Sequence, residues 1–208
     1  MAADRRSAED ILCIALLHAY APWLESGWTN DGVAACVDAV ECGLVHPPNE
    51  ELQVVTRHGH QPLRRLLRIL PPQMKVLLHV PDTRFALLAA HTASQASASH
   101  RVTLIANRIA IFQAIALTDP RIATALLTQD PDIAKEAVYH KVADAIVCPP
   151  WAADEETMLL SWDNRIRIYV GVLDTREEIL EWIERGADGI RTRHPALFLQ
   201  SLGPHVIP

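Results

Sequence analysis

The sequence predicts an α/β fold, a (β/α)8 TIM barrel built from a single domain that spans residues 1–208. Half of the residues are hydrophobic, which is enough for one sizeable core. Eight strand candidates alternate with helix candidates at intervals of very roughly 25 residues, and residues 165–199 form a complete strand, helix and strand unit. At 208 residues the chain is near the lower size limit of such barrels, so we expect a short or irregular one.

The closing unit shows the predicted pattern most fully. Residues 166–172 are a β-branched and aromatic run that is typical of a buried strand. Thr175 and Glu178 have the spacing of a capping box at the start of a helix, and Gly186 stands where a helix ends in the left-handed conformation. A short strand over 188–191 follows directly. A helix that joins two parallel strands is a βαβ unit.

The remaining elements follow the same alternation in chain order. Apolar or β-branched runs predict strands over 11–17, 52–56, 74–80, 102–106, 122–127, 143–147, 166–172 and 188–191. Helices are predicted over 30–42, 61–70, 83–97, 108–117, 131–140, 154–162 and 175–185, with a last short one from Pro195. Asp130 before Pro131 is a clear helix start, because proline is favoured at the first helical position.

An open doubly wound sheet is the alternative architecture for this alternation. No GxGxxG motif follows an early strand, and eight glycines in the whole chain leave little to cradle a dinucleotide. The barrel is therefore preferred. In a barrel, functional side chains lie on the loops that follow the carboxyl ends of the strands. Here those loops are rich in histidine and poor in carboxylates.

Charge and cysteine content narrow the function classes. A net charge of −6 and a pI near 5.9 argue against nucleic acid or a membrane surface as partner. The longest apolar run, 11–17, is far too short to span a membrane. The four cysteines form no CxxC pair and no signal peptide precedes them, so we expect reduced thiols in a cytoplasmic protein.

Several segments resemble the glycerophosphodiester phosphodiesterase family, which has a phospholipase-C-like phosphodiesterase barrel. The resemblance is strongest in VGVLDTREEILEWIERGADGIRTRHP at 170–195 and in ADAIVCPP at 143–150. It extends to MKVLLHVP at 74–81, which is similar to the family's Leu-Glu-Ile-Lys strand, and to LLHAY at 16–20, which is similar to its opening His-Arg-Gly. The resemblance covers nearly the whole chain and becomes less specific toward the N-terminus.

The resemblance implies a metal-dependent site. The family hydrolyses phosphodiesters with two histidines as acid and base and a Mg²⁺ or Ca²⁺ ion held by carboxylates. The first histidine falls on His18, and the second on His58 or His60. The family's metal glutamate falls on His79, and the Asp of its Thr-Asp-x-Pro motif falls on Arg193. Its Glu-x-Asp pair is expected after Gly43, where no such pair occurs.

Two functions follow from this partial match. In the first, the barrel binds a small phosphodiester or assembles with a protein partner or with itself, and has weak phosphodiesterase activity or none. In the second, a rebuilt site is active: His18 with His58 or His60 acts as acid and base, and His79 with Asp82 or Asp174 holds Zn²⁺ or Mn²⁺, which imidazole suits.

Phosphate contacts are predicted at the last helix start. The candidates are Arg193 and His194, which lie just before Pro195, where backbone N–H groups are free to bind an anion. A different phosphate-binding barrel enzyme ranks last among the alternatives. The loops after the seventh and eighth predicted strands lack the glycines of such a phosphate site.

Overall fold

The computed structural model describes residues 11–16, 37–48, 50–56 and 59–202 of the chain. Within these residues, eight parallel strands close into a ring. The predicted (β/α)8 barrel is confirmed. In order around the ring, the strands are β1 Leu12–Leu16, β2 Ala39–Val45, β5 Lys75–His79, β6 Val102–Ala106, β7 Ala123–Leu127, β8 Ala145–Cys148, β9 Arg167–Gly171 and β10 Gly189–Thr192, and β10 pairs back onto β1.

The second strand of the ring differs from the prediction. The segment 39–42, predicted as the end of a helix, is the start of β2, and the rest of that predicted helix lies largely outside the described residues. The predicted strand over 52–56 is β3 (Gln53–Thr56), which pairs antiparallel with β2 and with β4 (Gly59–Pro62). It forms a hairpin beside the barrel. Apolar residues alone did not distinguish a hairpin strand from a ring strand.

Helices between the ring strands agree with prediction to within a few residues. Asp130 caps the helix that begins at Pro131, and Thr175 with Glu178 forms the predicted capping box. Gly186 has the expected positive φ of 79°. The helices are α1 Leu63–Ile69, α2 Thr83–Gln95, α3 Ile109–Thr118, α4 Pro131–Tyr139, α5 Glu155–Asn164, α6 Arg176–Glu184 and α7 Pro195–Leu202.

Alternate strand residues fill the inside of the ring. One buried cluster contains Ala39, Leu77, Tyr169 and further interior residues, while a larger cluster lies between the strands and the helices. Because side chains alternate along a strand, residues two positions further on face the same interior. For Ala39, Leu77 and Tyr169 those residues are Glu41, His79 and Gly171, at the carboxyl end of the ring.

Three aspartates connect neighbouring strands at the opposite end. Asp38, Asp144 and Asp188 each stand just before a ring strand, in VDAV, ADAI and ADGI. Their carboxylates accept the N–H groups of Cys13 (2.8 Å), Thr124 (2.7 Å) and Ile168 (2.9 Å). Each aspartate N–H donates to the carbonyl of that same residue, and each aspartate carbonyl accepts an N–H from the strand on its other side. This repeated arrangement links three strands at each aspartate.

Across the described part of the chain, no helix is both long enough and apolar enough to cross a bilayer. Cys42 and Cys148 are buried free thiols, whereas Cys36 lies outside the described residues.

Candidate functional site

Glu41 is a buried carboxylate in the middle of β2, paired in register with the last residue of β1, Leu16. It is 3% exposed and faces the interior of the ring. Gly43 follows two residues later on the same side of the strand and pairs with His79 of β5. The spacing of a Glu-x-Asp pair is therefore present in Glu41-Cys42-Gly43, with glycine in the second place. Glu41 is not among the predicted site residues, because the segment that contains it was predicted as the end of a helix.

Arg191, on β10, is the cation that pairs with Glu41. Its Nε donates to Glu41 Oε2 at 2.7 Å and its Nη2 donates to Glu41 Oε1 at 2.6 Å. Its Nη1 donates to the carbonyl oxygen of Gly171 on β9 at 3.0 Å. The residue is 8% exposed, so this is a buried bidentate ion pair between strands that flank β1 on either side.

His79 completes the cluster at the end of β5. Its Nε2 lies 2.7 Å from Glu41 Oε1, and because an ionised carboxylate only accepts, the imidazole donates this hydrogen bond. About a third of the His79 side chain is exposed. It lines a cleft of about 430 Å³ at the mouth of the barrel, together with Gly43, Leu44, Asn107, Arg108 and Leu127. The cluster of Glu41, His79 and Arg191 is called the mouth triad below.

Opposing effects set the ionisation of Glu41. Burial raises its pKa, but hydrogen bonds and charges from Arg191 and His79 outweigh burial and lower the pKa to about 2. Glu41 is therefore ionised at neutral pH. Its charge is neutralised within the protein by Arg191.

This lowered pKa gives a testable acid dependence. A carboxyl whose pKa is lower in the folded state stabilises the fold above its unfolded pKa, here 4.5, and this contribution is lost as the pH falls toward about 2. The shift corresponds to about 3 kcal/mol. Between pH 4.5 and about 2, the free energy of unfolding should fall less for Glu41→Gln than for the wild type. Urea unfolding at a series of pH values measures this difference.

The control for this experiment is Glu181→Gln. Glu181 is an exposed carboxylate on α6 that pairs with Arg185, the residue just after that helix. Its acid dependence should follow that of the wild type, because exposed pairs contribute little. Parallel acid curves for Glu41→Gln and the wild type would contradict a strongly lowered pKa at Glu41.

A second ion pair lies at the rim. The Asp174 carboxylate accepts the backbone N–H of Arg193 at 3.1 Å and Arg193 Nε at 2.6 Å, and it also pairs with Arg193 Nη2. Burial raises the pKa of Asp174, but these hydrogen bonds outweigh burial and lower the pKa below its usual range. The Arg193 side chain is about half exposed. The N–H of His194 donates to Thr192 Oγ1 at 2.9 Å.

The predicted metal ligands have separate local roles. Asp82 is the exposed N-cap of α2 and accepts the N–H of Phe85 at 2.9 Å. Asp174 is bound to Arg193, and His79 is bound to Glu41. Among the described residues, no three His, Cys, Asp or Glu side chains are grouped to hold a metal ion. His60 is exposed on β4 of the hairpin, and His18 and His58 lie outside the described residues.

The donor set of the mouth triad does not fit a divalent cation. Hard ions such as Mg²⁺ and Ca²⁺ take several oxygen ligands, preferably carboxylates. Here the carboxylate of Glu41 already holds a guanidinium with both of its oxygens, and the position two residues on, Gly43, carries no side chain. A second cation at Glu41 would face the positive charge of Arg191.

Several solved structures share this fold at low sequence identity. A glycerophosphodiester phosphodiesterase from Agrobacterium tumefaciens is 14% identical with a TM-score of 0.71, covering 90% of this chain and 99% of that one. One from Parabacteroides distasonis is 12% identical with a TM-score of 0.70, covering 93% and 97%. The chain has the glycerophosphodiester phosphodiesterase fold. No protein-family model and no curated protein sequence matches it.

A third structure with the phosphodiesterase fold contains a ligand. The Oleispira antarctica phosphodiesterase, in complex with the product sn-glycerol-3-phosphate, is 11% identical with a TM-score of 0.69, and the match covers 95% of this chain and 99% of that one. At such identities the comparison establishes the phosphodiesterase fold and leaves the chemistry to be argued from the site.

Proposed function

We propose that this chain is a phosphodiesterase-like barrel that binds a small phosphodiester or phosphate ester at its mouth and hydrolyses it weakly or not at all. The carrying observation is the bidentate pair of Arg191 with Glu41. A metal-dependent phosphodiesterase needs an unneutralised carboxylate for its cation. The mouth triad contains one carboxylate, that of Glu41, and the guanidinium of Arg191 neutralises it.

Ligand binding is supported by the shape and charge of the mouth. The cleft beside His79 has about 430 Å³ and carries Asn107 and Arg108 on its rim, groups that donate hydrogen bonds to phosphate oxygens. Arg193 and His194, at the start of α7, remain the proposed phosphate contacts. Arg193 would have to bind the phosphate while paired with Asp174. The cytoplasmic location and the protein partner stay predictions from the sequence.

Hydrolysis assays test whether the protein turns over a phosphodiester. We expect bis-p-nitrophenyl phosphate and glycerophosphodiesters to show no turnover above that of the His79→Ala variant, with Mg²⁺, Ca²⁺, Mn²⁺ or Zn²⁺ present. The reason is that both oxygens of Glu41, the one carboxylate of the mouth triad, are bound by Arg191 and are not available to a divalent ion. Turnover by the wild type that disappears in His18→Ala or His79→Ala would overturn the proposal.

Calorimetry with sn-glycerol-3-phosphate tests whether the mouth binds a phosphate ester. Removing one charged hydrogen bond to a phosphate should weaken binding on the order of tenfold in Arg108→Gln and in Arg193→Gln. Arg121→Gln, which changes an exposed guanidinium paired with Asp119, serves as the matched control and should bind like the wild type. Equal affinity for all three variants would contradict a phosphate site at the mouth.

A metal-independent hydrolase, distinct from the metal-dependent alternative, is a second candidate function with one observation in its favour. Glu41 orients His79 by a hydrogen bond to Nε2, and a carboxylate that orients a histidine is a recurrent arrangement for a general base. The other ring nitrogen, Nδ1, would then be the basic atom. In this case hydrolysis would be independent of added metal and would be lost in both Glu41→Gln and His79→Ala.

A further inference from the structure

The guanidinium of Arg191 is surrounded by the atom types that usually bind a metal ion. Both carboxylate oxygens of Glu41 and the carbonyl oxygen of Gly171 accept its N–H groups at 2.6–3.0 Å. The imidazole of His79 lies against the same carboxylate. A carboxylate from β2 and a carbonyl from β9 thus bind one cation, which itself comes from β10, and an imidazole from β5 binds the same carboxylate.

We propose that Arg191 is a built-in cation that takes the place of a divalent metal ion at the mouth of this barrel. Removal of its guanidinium then leaves a latent site for a divalent ion, formed by Glu41, His79 and the Gly171 carbonyl. A site with one carboxylate and one imidazole suits Zn²⁺ or Mn²⁺ better than Ca²⁺, which needs more oxygen ligands.

The charge of Glu41 is the physical basis of this proposal. A buried carboxylate must be paired with a cation, and Glu41 is 3% exposed. Arg191 supplies that cation from within the chain. Unlike a bound metal ion, its guanidinium cannot be removed by a chelator. When the Arg191 guanidinium is removed, a divalent ion can neutralise Glu41. His79 Nε2, which donates to Glu41 in the wild type, can then coordinate the ion in its unprotonated form.

The proposal does not depend on ligand binding or hydrolysis at the mouth. Its readout is the binding of a metal ion to variants, so it can fail while the proposed function stands, and the reverse. The wild type is expected to show no response of its unfolding temperature to divalent ions, and the single substitution Arg191→Gln is expected to create one.

The experiment compares thermal unfolding of the full chain with Zn²⁺, Mn²⁺ or Ca²⁺ added and after chelation. The wild-type midpoint should be unchanged by EDTA and by each ion. For Arg191→Gln, Zn²⁺ or Mn²⁺ at about 100 times its dissociation constant should raise the midpoint by roughly 5–10 °C. Calcium should have a smaller effect. Calorimetry should find one Zn²⁺ or Mn²⁺ ion bound per Arg191→Gln chain.

Two further variants identify the ligands. Glu41→Gln/Arg191→Gln removes both charges and should not bind the ion, because its carboxylate is gone. Arg121→Gln removes a guanidinium that also binds a carboxylate through two hydrogen bonds, at Asp119, but has no histidine in its described hydrogen-bonding cluster. Arg121→Gln should therefore gain no metal response.

Folding of Arg191→Gln is itself a readout. If this variant folds only in the presence of Zn²⁺ or Mn²⁺, that result supports the proposal. Failure to fold with either ion overturns it, as does a folded variant that binds neither. A wild-type protein that binds a divalent ion, and loses it in Glu41→Gln, would show that Arg191 does not take the place of the metal.

Discussion

Arg191→Ala is expected to lower the free energy of unfolding by about 3–5 kcal/mol, the range for removing one partner of a buried ion pair. Two interactions are lost together. Glu41 is left buried without its guanidinium, and the Gly171 carbonyl loses the hydrogen bond from Nη1. Urea unfolding at neutral pH, followed by tryptophan fluorescence, measures the difference.

The pair of Arg121 with Asp119 is the comparison. It has the same bidentate geometry, with both hydrogen bonds at 2.8 Å, but the arginine side chain is 65% exposed. Asp119 is buried and also accepts a hydrogen bond from Ser99 Oγ at 2.6 Å, so it keeps a partner when the guanidinium is removed. Arg121→Ala should therefore have a smaller effect than Arg191→Ala. Similar losses in both variants would show that burial of the mouth triad contributes little.

Gly171→Ala is the second substitution with a large expected cost, about 3 kcal/mol, because two effects combine. Gly171 has φ +140°, a backbone conformation that residues with a side chain rarely adopt. A Cβ there would also lie 2.4 Å from the carbonyl oxygen of Arg191. The neighbouring strand would have to move, which disturbs the Arg191 guanidinium and its contact with Gly171. Chemical denaturation again gives the measurement.

Gly43→Ala, on β2 at the same end of the ring, provides the control. Gly43 has no positive φ, and a Cβ there would meet only Val55 Cγ2 at 3.9 Å. Alanine reduces the freedom of the unfolded chain, so this variant should be as stable as the wild type or slightly more stable. An equal loss in Gly43→Ala and Gly171→Ala would mean that backbone conformation does not explain the effect.

Most of the fold was predictable from the sequence because its signals are local. The capping box at Thr175 and Glu178, the start at Asp130 and the end at Gly186 are short-range patterns, and all three are confirmed. The second ring strand was not found, because an apolar stretch that contains Glu41 is compatible with either a helix or a strand. The hairpin strand β3 then took its place in the count.

The candidate site was less predictable, because it depends on contacts between distant residues. Glu41 and Arg191 are 150 residues apart and pair only after the ring closes. His79, one of the predicted site residues, lies beside Glu41, and its role stays a prediction. The signal that was available is the similarity of VDAVE and ADGIR, in which Glu41 and Arg191 hold the same place after an aspartate.

The aspartate links of the barrel have a consequence for how this site can change. Asp38, Asp144 and Asp188 fasten neighbouring strands at the end of the ring away from the mouth. None of these links involves a side chain of the mouth triad, so strand pairing at that end should persist when a charge at the mouth is exchanged. Such an exchange then costs stability through the ion pair at the mouth and leaves the aspartate links in place.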